Sequence, residues 1–405
     1  MNVVRMMEHA VRAWNAWLPA ASVNGRTVPK GERWAEALLG LGVFWSIAGV
    51  LLTPSMKFYY TTVVLFIYLP SLWLVIARRA ELGRLVRARK ELWLFFLLFA
   101  WASLSLLWST GDFERLGALK EAALFVLLVC GWLLWGRGGA ARLRGMLLVL
   151  ALLNCLYSLA ALVLAPSYDQ GRLSGFGGFM DNPNAAAYTT ALLLVLAIPL
   201  GPRRPWARLA WLVLQAVPLA YVVMCGSRGA LLALMVAALS GVLLVPGLKS
   251  KLIALGLPVA GLAVLRLEPG LLARGDAERL ELLHSSLPIL REHFWTGVGY
   301  GTDYLVQGWA GNFHGNSHNF LLHTAIQYGI PALLAWLLLW AMLGLQAWRC
   351  RATRLGLAVL LLWVYSSVAL QFDVFSLWER TRAMWLIPWV ATLLCLCLER
   401  RPEQA

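Results

Sequence analysis

Four short stretches of an otherwise apolar chain hold the residues whose types and spacing can do chemistry. The first runs from Arg172 through Gly177-Gly178-Phe179 to Asn182-Pro183-Asn184. The second is Gly226-Ser227-Arg228-Gly229. The third carries Arg274, Arg279, His284, Arg291 and His293, and ends in Gly297-Val298-Gly299-Tyr300-Gly301. The fourth is His314-Gly315-Asn316-Ser317-His318-Asn319. Arginine forks bind the oxygens of phosphates and carboxylates in pairs. Histidine accepts a proton from a hydroxyl near neutral pH. Together these residue types point to proton transfer on an anionic substrate. No Walker loop, nucleophile–base pair or acidic metal-binding pair accompanies them. The acids nearby (Asp169, Asp181, Asp276, Glu278, Glu281, Glu292, Asp303) are scattered, and Asp373 and Glu379 have Arg380 and Arg382 as neighbours.

Each stretch also has a plainer reading. The glycines around Arg228 let its guanidinium and the local amides approach a phosphate closely. A helix-end arginine snorkelling to a membrane interface has the same local sequence. Asn182-Pro183-Asn184 has the composition of a helix cap and first turn. His314, His318 and His323 have a spacing that invites a metal. On a helix, however, His323 would be rotated by roughly 140° from His318, and Gly315-Asn316 argue against helix there. No metal site is assigned. His318 can serve as a general base or as a polar residue at a helix start.

The elements that must position these residues follow from composition. Of 405 residues 60% are hydrophobic and 14% charged, too few charges to coat a water-soluble surface. The net charge of +15 is not a nucleic-acid footprint, because the basic residues sit in short clusters between apolar runs. The six Cys lie mostly in or beside apolar runs without a CxxC pair, and read as small buried residues. The 21 Trp fit aromatic belts at two interfaces. The first long apolar run begins near Ala35, after a polar segment with Arg5, Arg12, Arg26, Lys30 and Arg33; no small-residue cleavage pattern follows, so no removable signal peptide is expected.

Apolar runs of membrane-spanning length predict an all-α polytopic protein of about twelve transmembrane helices. They lie near 36–53, 58–77, 91–109, 117–135, 145–165, 185–200, 209–225, 229–245, 250–267, 319–342, 355–372 and 383–398. The expected organisation is a cytoplasmic segment at 1–35, nine spans within 36–267, an outer loop at 268–318, three spans within 319–398 and a cytoplasmic tail at 399–405. With both termini inside, roughly two-thirds of the Lys and Arg fall in inside segments, as the positive-inside rule requires. All four stretches then lie on the outer face. In the outer loop, Leu280, Leu283, Leu287, Leu290 and Phe294 follow a 3-4-3-4 spacing, which predicts an amphipathic helix that caps the bundle or lies on the bilayer.

The combination resembles the O-antigen ligase/polymerase-like family of bacterial envelope glycosyltransferases. The resemblance rests on Gly177-Gly178-Phe179 with Asn182-Pro183-Asn184, on Ser227-Arg228-Gly229, on Arg279 with Gly297–Gly301, and on Ser317-His318-Asn319 with Gln327-Tyr328-Gly329. The family's last motif usually carries an acid before the glycine, where this chain has Gln327-Tyr328. The resemblance implies a GT-C-like membrane fold with a periplasmic active site in the inner membrane. It implies transfer of a glycan from undecaprenyl diphosphate to a hydroxyl of lipid A–core, without metal or other cofactor. His318, Arg228 and Arg279 would be catalytic. Arg172, Asn182, Asn184, Tyr300, His314 and Asn319 would bind or position substrate. Its members also include O-antigen polymerases and pilin O-glycosyltransferases. A transporter of lipid-linked glycan is the rival from another class; it predicts polar residues at mid-membrane or matched broken spans, whereas most spans here are apolar at their centres.

Overall fold

The computed structural model describes residues 22–23, 26–112, 114–136, 139–164, 168–169, 171–245, 247, 279–308, 311–372, 377–378 and 383–398. The expected span at 250–267 lies outside them, as do Arg274, Asp373, Glu379, Arg380 and Arg382. Within lipid a backbone must satisfy its own hydrogen bonds, so each long apolar run closes into helix. In chain order these are α1 (Lys30–Leu52), α2 (Met56–Ala77, with a π-helical turn at Val64–Tyr68), α3 (Arg79–Ala88) and α4 (Lys90–Leu104). There follow α5 (Arg115–Gly136), α6 (Ala140–Leu164), α7 (Pro183–Leu200), α8 (Pro205–Cys225) and α9 (Arg228–Leu243). The last four are α10 (Arg279–Glu292), α11 (Phe320–Arg349), α12 (Arg354–Ala369) and α13 (Leu386–Cys397). Among the described residues eight spans are long and apolar enough to cross a membrane; α9, α12 and α13 are shorter apolar helices. Three hairpins of two-residue strands are the sheet among the described residues. The protein is an all-α polytopic membrane protein.

Eleven of the twelve expected spans thus have a counterpart, with ends displaced by a few residues. Two differences have physical causes. The span expected at 319–342 runs on to Arg349 and is broken at Gly329, whose φ of 81° and ψ of 169° leave the helix. The outer-loop helix forms as α10, but it buries Leu282 and Ser286, while Leu280 and Leu283 are exposed. Apolar spacing announced the helix; contact with Tyr304, Val306 and Ile326 selected which stripe turns inward.

α7 stands at the centre. Nearly all of its residues are buried, and α6, α8, α9 and α12 pack around it. A helix apolar on all sides is stable only in such a position or in lipid.

The two ends of the bundle treat charge differently. At the end holding the basic segments, Glu36 accepts from Arg142 at 2.6 Å and from Arg78 at 2.7 Å, and Glu32 accepts from Arg78 at 3.0 Å. Arg89 donates to the carbonyls of Leu396 and Leu398, Arg144 to that of Leu200, and Arg354 to that of Gly201. These carbonyls close α13 and α7, where the last turn of a helix leaves acceptors unsatisfied and carries partial negative charge. The basic clusters that read as topology signals therefore also tie helix ends together. Removing one member of a buried ion pair costs about 3–5 kcal/mol. Glu36→Ala is therefore expected to lower the thermal unfolding midpoint in detergent clearly, and an unchanged midpoint would show that Arg78 and Arg142 find other partners.

Candidate functional site

The site is assembled on the break in α11. A helix interrupted at Gly329 leaves carbonyls of its first half without helical partners. The glycine-rich turn supplies donors for them. The amide of Val298 donates to the Ile326 carbonyl at 2.8 Å, and that of Gly299 to the Gln327 carbonyl at 2.9 Å. In return the Ile330 amide donates to the Phe294 carbonyl at 2.9 Å. The backbones meet so closely that a Cβ on Gly297 would lie 2.4 Å from the Gln327 carbonyl, and one on Gly329 would lie 2.2 Å from that of Trp295. Both glycines have positive φ, so a side chain would strain the backbone as well as clash. Gln327 is buried and grips the same turn. It accepts from the Gly301 amide at 2.9 Å and donates to the Thr302 carbonyl at 3.1 Å. An ionised carboxylate can make only the first of these bonds.

This junction fixes α10, which carries Arg279, against the first half of α11, which starts directly after His318 and Asn319. A second junction joins α11 to the end of α12. The Phe320 amide donates to the Leu370 carbonyl at 2.9 Å. Asn319 caps α11 by accepting from the Leu322 amide at 3.0 Å, and its own amide donates to Gln371 Oε1 at 3.1 Å. The next residue, Phe372, lies under Arg279, whose guanidinium carbon is 5.0 Å from the ring centroid, within cation–π reach. Phe372 also abuts the start of α9: a Cβ on Gly229 would be 3.1 Å from Phe372 Cβ and 2.0 Å from Tyr188 Oη of α7. Gln371 and Phe372 thus bring the third and fourth stretches to the second.

The first stretch joins through Arg172. Its Nε donates to the Cys225 carbonyl at 2.8 Å, at the end of α8, and its Nη2 donates to Asn184 Oδ1. Gly226 then closes α8 in the left-handed conformation typical of a helix C-cap, and α9 begins at Arg228. Arg172 so braces the tip that presents Arg228. Asn182 caps α7, accepting from the amides of Asn184 at 2.8 Å and Ala185 at 3.3 Å. No side-chain bond from Ser227 caps α9. The N-termini of α7, α9 and α11 therefore gather at one end of the bundle with Arg172, Arg228 and Arg279, and helix N-termini attract anions.

His318 has φ of 48° and is the one non-glycine residue with positive φ among those described. Such backbone persists only where surroundings enforce it. The His318 amide donates to Asn316 Oδ1 at 3.0 Å, and Ser317 Oγ donates to the Asn319 carbonyl at 3.2 Å. The rings of His314 and His318 meet edge to face with centroids 5.7 Å apart. His323 is engaged elsewhere: its Nδ1 and the Tyr304 hydroxyl are 2.6 Å apart. Burial pushes the Tyr304 phenol up to about 12 against the opposing effect of Ser317 hydrogen bonds, so it stays protonated. Tyr300 belongs to a different group. Its ring stacks on Trp378 with centroids 4.8 Å apart, and Trp378 also packs on Tyr328 and Phe99. Its backbone is pinned by Ser105 and Ser109 of the segment that ends α4.

Sequence reasoning missed Gln371, Phe372, Tyr304 and Trp378. The one available signal was a polar Gln371 at the close of an apolar run.

These features define a multi-pass helical membrane protein in which arginines, a strained histidine and capping asparagines meet at one end of the bundle. A family model described as O-antigen ligase matches residues 173–337. That range encloses every expected site residue except Arg172, which immediately precedes it. An O-antigen ligase of Pseudomonas aeruginosa is 28% identical over 375 residues, covering 90% of this chain and 92% of that protein. By both comparisons the chain is similar to O-antigen ligases.

The close approach at Gly229 gives a test of the assembly. Gly229→Ala is expected to displace the start of α9 and reduce activity strongly at normal expression. Adding Tyr188→Phe removes the nearest clashing atom and should restore part of it; no restoration would mean that the contact with Tyr188 does not set the position of Arg228.

Proposed function

We propose that the protein is an O-antigen ligase of the bacterial inner membrane, with both termini cytoplasmic and the site facing the periplasm. It transfers O-antigen from undecaprenyl diphosphate to a sugar hydroxyl of lipid A–core. The observation that carries this reading is the meeting of Arg279, the Arg228 tip and the His318-Asn319 turn at Gln371 and Phe372. It supports a site that holds a diphosphate beside a base. Similarity to O-antigen ligases over most of the chain supports lipopolysaccharide assembly as the setting.

In the proposed mechanism Arg228 and Arg279 hold the diphosphate and stabilise the charge that develops on it. Their planar forks suit paired phosphate oxygens better than an ammonium does. A ring nitrogen of His318 takes the acceptor hydroxyl proton while that oxygen attacks the anomeric carbon. The new glycosidic bond forms as the bond from that carbon to the phosphate oxygen breaks, and undecaprenyl diphosphate leaves with the electron pair. One displacement of this kind inverts the anomeric configuration. Asn319 orients the turn that carries the base. Arg172 and Asn184 hold the Arg228 tip, Asn182 and His314 border the sugar path, and Tyr300, stacked on Trp378, steadies the turn 297–301 instead of lining that path. No metal takes part in this scheme.

The test is transfer by purified protein in nanodiscs with EDTA present, using undecaprenyl-diphosphate O-antigen and lipid A–core. A ladder of ligated product is expected. His318→Ala should abolish it, and Arg228→Lys should lower the rate by about 100-fold, the scale of one transition-state charge contact. Retained turnover in His318→Ala would remove it as the base. Lengthening of the donor glycan without ligation would make the protein a polymerase, and neither product would favour transport.

A further inference from the structure

A groove of about 530 Å³ opens between α2 and α5. Lys57, Tyr60, Val64 and Tyr68 line one wall, and Lys120 and Glu121 line the other. It arises from a contrast along α2. The half Leu69–Ala77 packs closely on α5, where a Cβ on Gly131 would lie 2.0 Å from Ser71 Oγ. The half Met56–Val63 stands off from α5. Between them lies the π-helical turn Val64–Tyr68. It is seated on Gly42 of α1, where a Cβ would come within 2.2 Å of the Phe66 carbonyl oxygen. An inserted residue of this sort re-aims the side chains of a helix, and such turns recur at functional sites.

Of the three charged residues of the groove, Glu121 accords with the dipole of α5, and the two lysines run against helix electrostatics. Lys57 is in the first turn of α2 and Lys120 in the second turn of α5. Cations near a helix N-terminus oppose the dipole, so helix stability does not explain them. They also lie at the end of the bundle opposite the basic segments that bind Glu36 and the closing carbonyls of α7 and α13. With two ammoniums against the single carboxylate of Glu121, the groove keeps a net positive charge, which an anion complements.

We propose that this groove seats the acceptor: a phosphorylated, acylated glycolipid whose chains lie along Tyr60, Val64 and Tyr68 and whose phosphate sits between Lys57 and Lys120. The assignment rests on the ligase reading given above. Two lipid-anchored substrates must each reach the site sideways from the bilayer, and the Arg228–Arg279 cluster is taken by the donor diphosphate. The groove adjoins that cluster by a short path. Tyr60 packs on Phe179 with ring centroids 6.1 Å apart. Phe179 belongs to the same stretch as Asn184, which binds Arg172 beside the Arg228 tip. A glycan extending from the phosphate of a lipid in the groove points along this path toward His318.

The experiment uses the full-length protein in nanodiscs and measures acceptor binding and transfer separately. Lys57→Ala/Lys120→Ala is expected to weaken lipid A–core binding by about tenfold and to raise its KM similarly, the scale of two phosphate contacts. The KM for the lipid-linked donor should not move. Lys57→Arg/Lys120→Arg should retain binding, and enzymatically dephosphorylated lipid A–core should bind the wild type and the double-alanine variant alike. Val64→Trp fills the groove from its lipid-exposed side and should raise the acceptor KM without altering a charge. Unchanged acceptor binding in the double-alanine variant and in Val64→Trp overturns the proposal, as does a rise confined to the donor KM. If the wild type ligates nothing, the ligase reading falls on that result, and lysine-dependent binding of the phosphorylated glycolipid still decides the groove.

Discussion

The pairing between the glycine-rich turn 297–301 and the broken end of α11 is the constraint on which the rest of the site depends. It is a backbone interaction, and it satisfies on both sides groups that would otherwise be left unbonded. A break in a membrane helix is tolerated where freed amides and carbonyls are met by protein. Here the turn meets the carbonyls of Ile326 and Gln327, and Gln327 grips the turn with both ends of its amide. Because α10 enters this turn and the His318-Asn319 turn opens the same half-helix, a single junction sets the spacing between the arginine of one element and the histidine of the other. An amide at position 327 has a structural reason: this position needs a donor and an acceptor together.

Sequence showed this architecture unevenly. Span positions were legible because an apolar run of membrane length has few alternatives in lipid. The break at Gly329 was hidden, since Leu321, Leu322, Ile326 and Ile330 keep the run apolar on both sides of it. The helix Arg279–Glu292 was legible, but its inward face was not. Leucines occur on two stripes, and only tertiary contact with Tyr304 and Val306 chose between them. Among site residues, Asn182 and Asn319 carry local signals as caps and act as such. Gln371 leaves one signal, a polar residue closing an apolar run, but nothing local marks what it and Phe372 do, which is to join segments far apart in sequence.

Charge explains why these segments gather where they do. At the basic end, arginines meet carboxylates and the closing carbonyls of α7 and α13, so the negative ends of helices are compensated by the chain itself. At the opposite end the helix N-termini of α7, α9 and α11 lie with Arg172, Arg228 and Arg279, and positive meets positive. The packing holds these groups there: Phe372 supports Arg279 through its ring face, and Gly229 lets α9 start against Tyr188. An anionic lipid head is the species that such an end complements.

The same logic bears on why the substrates need separate approaches. A diphosphate held by forked arginines is fixed at its reacting atoms, and its lipid tail must leave the site through the bilayer. A second lipid cannot share that exit without displacing the first. The divergence of α2 from α5 above the π-helical turn offers another approach on the far side of Phe179. In the proposed acceptor groove the phosphate would meet lysines rather than arginines. An ammonium on a flexible stem tolerates varied geometry, which suits a residue that anchors a lipid some distance from the chemistry. In the proposed reaction arginine, with its fixed fork, stands where the bond would break.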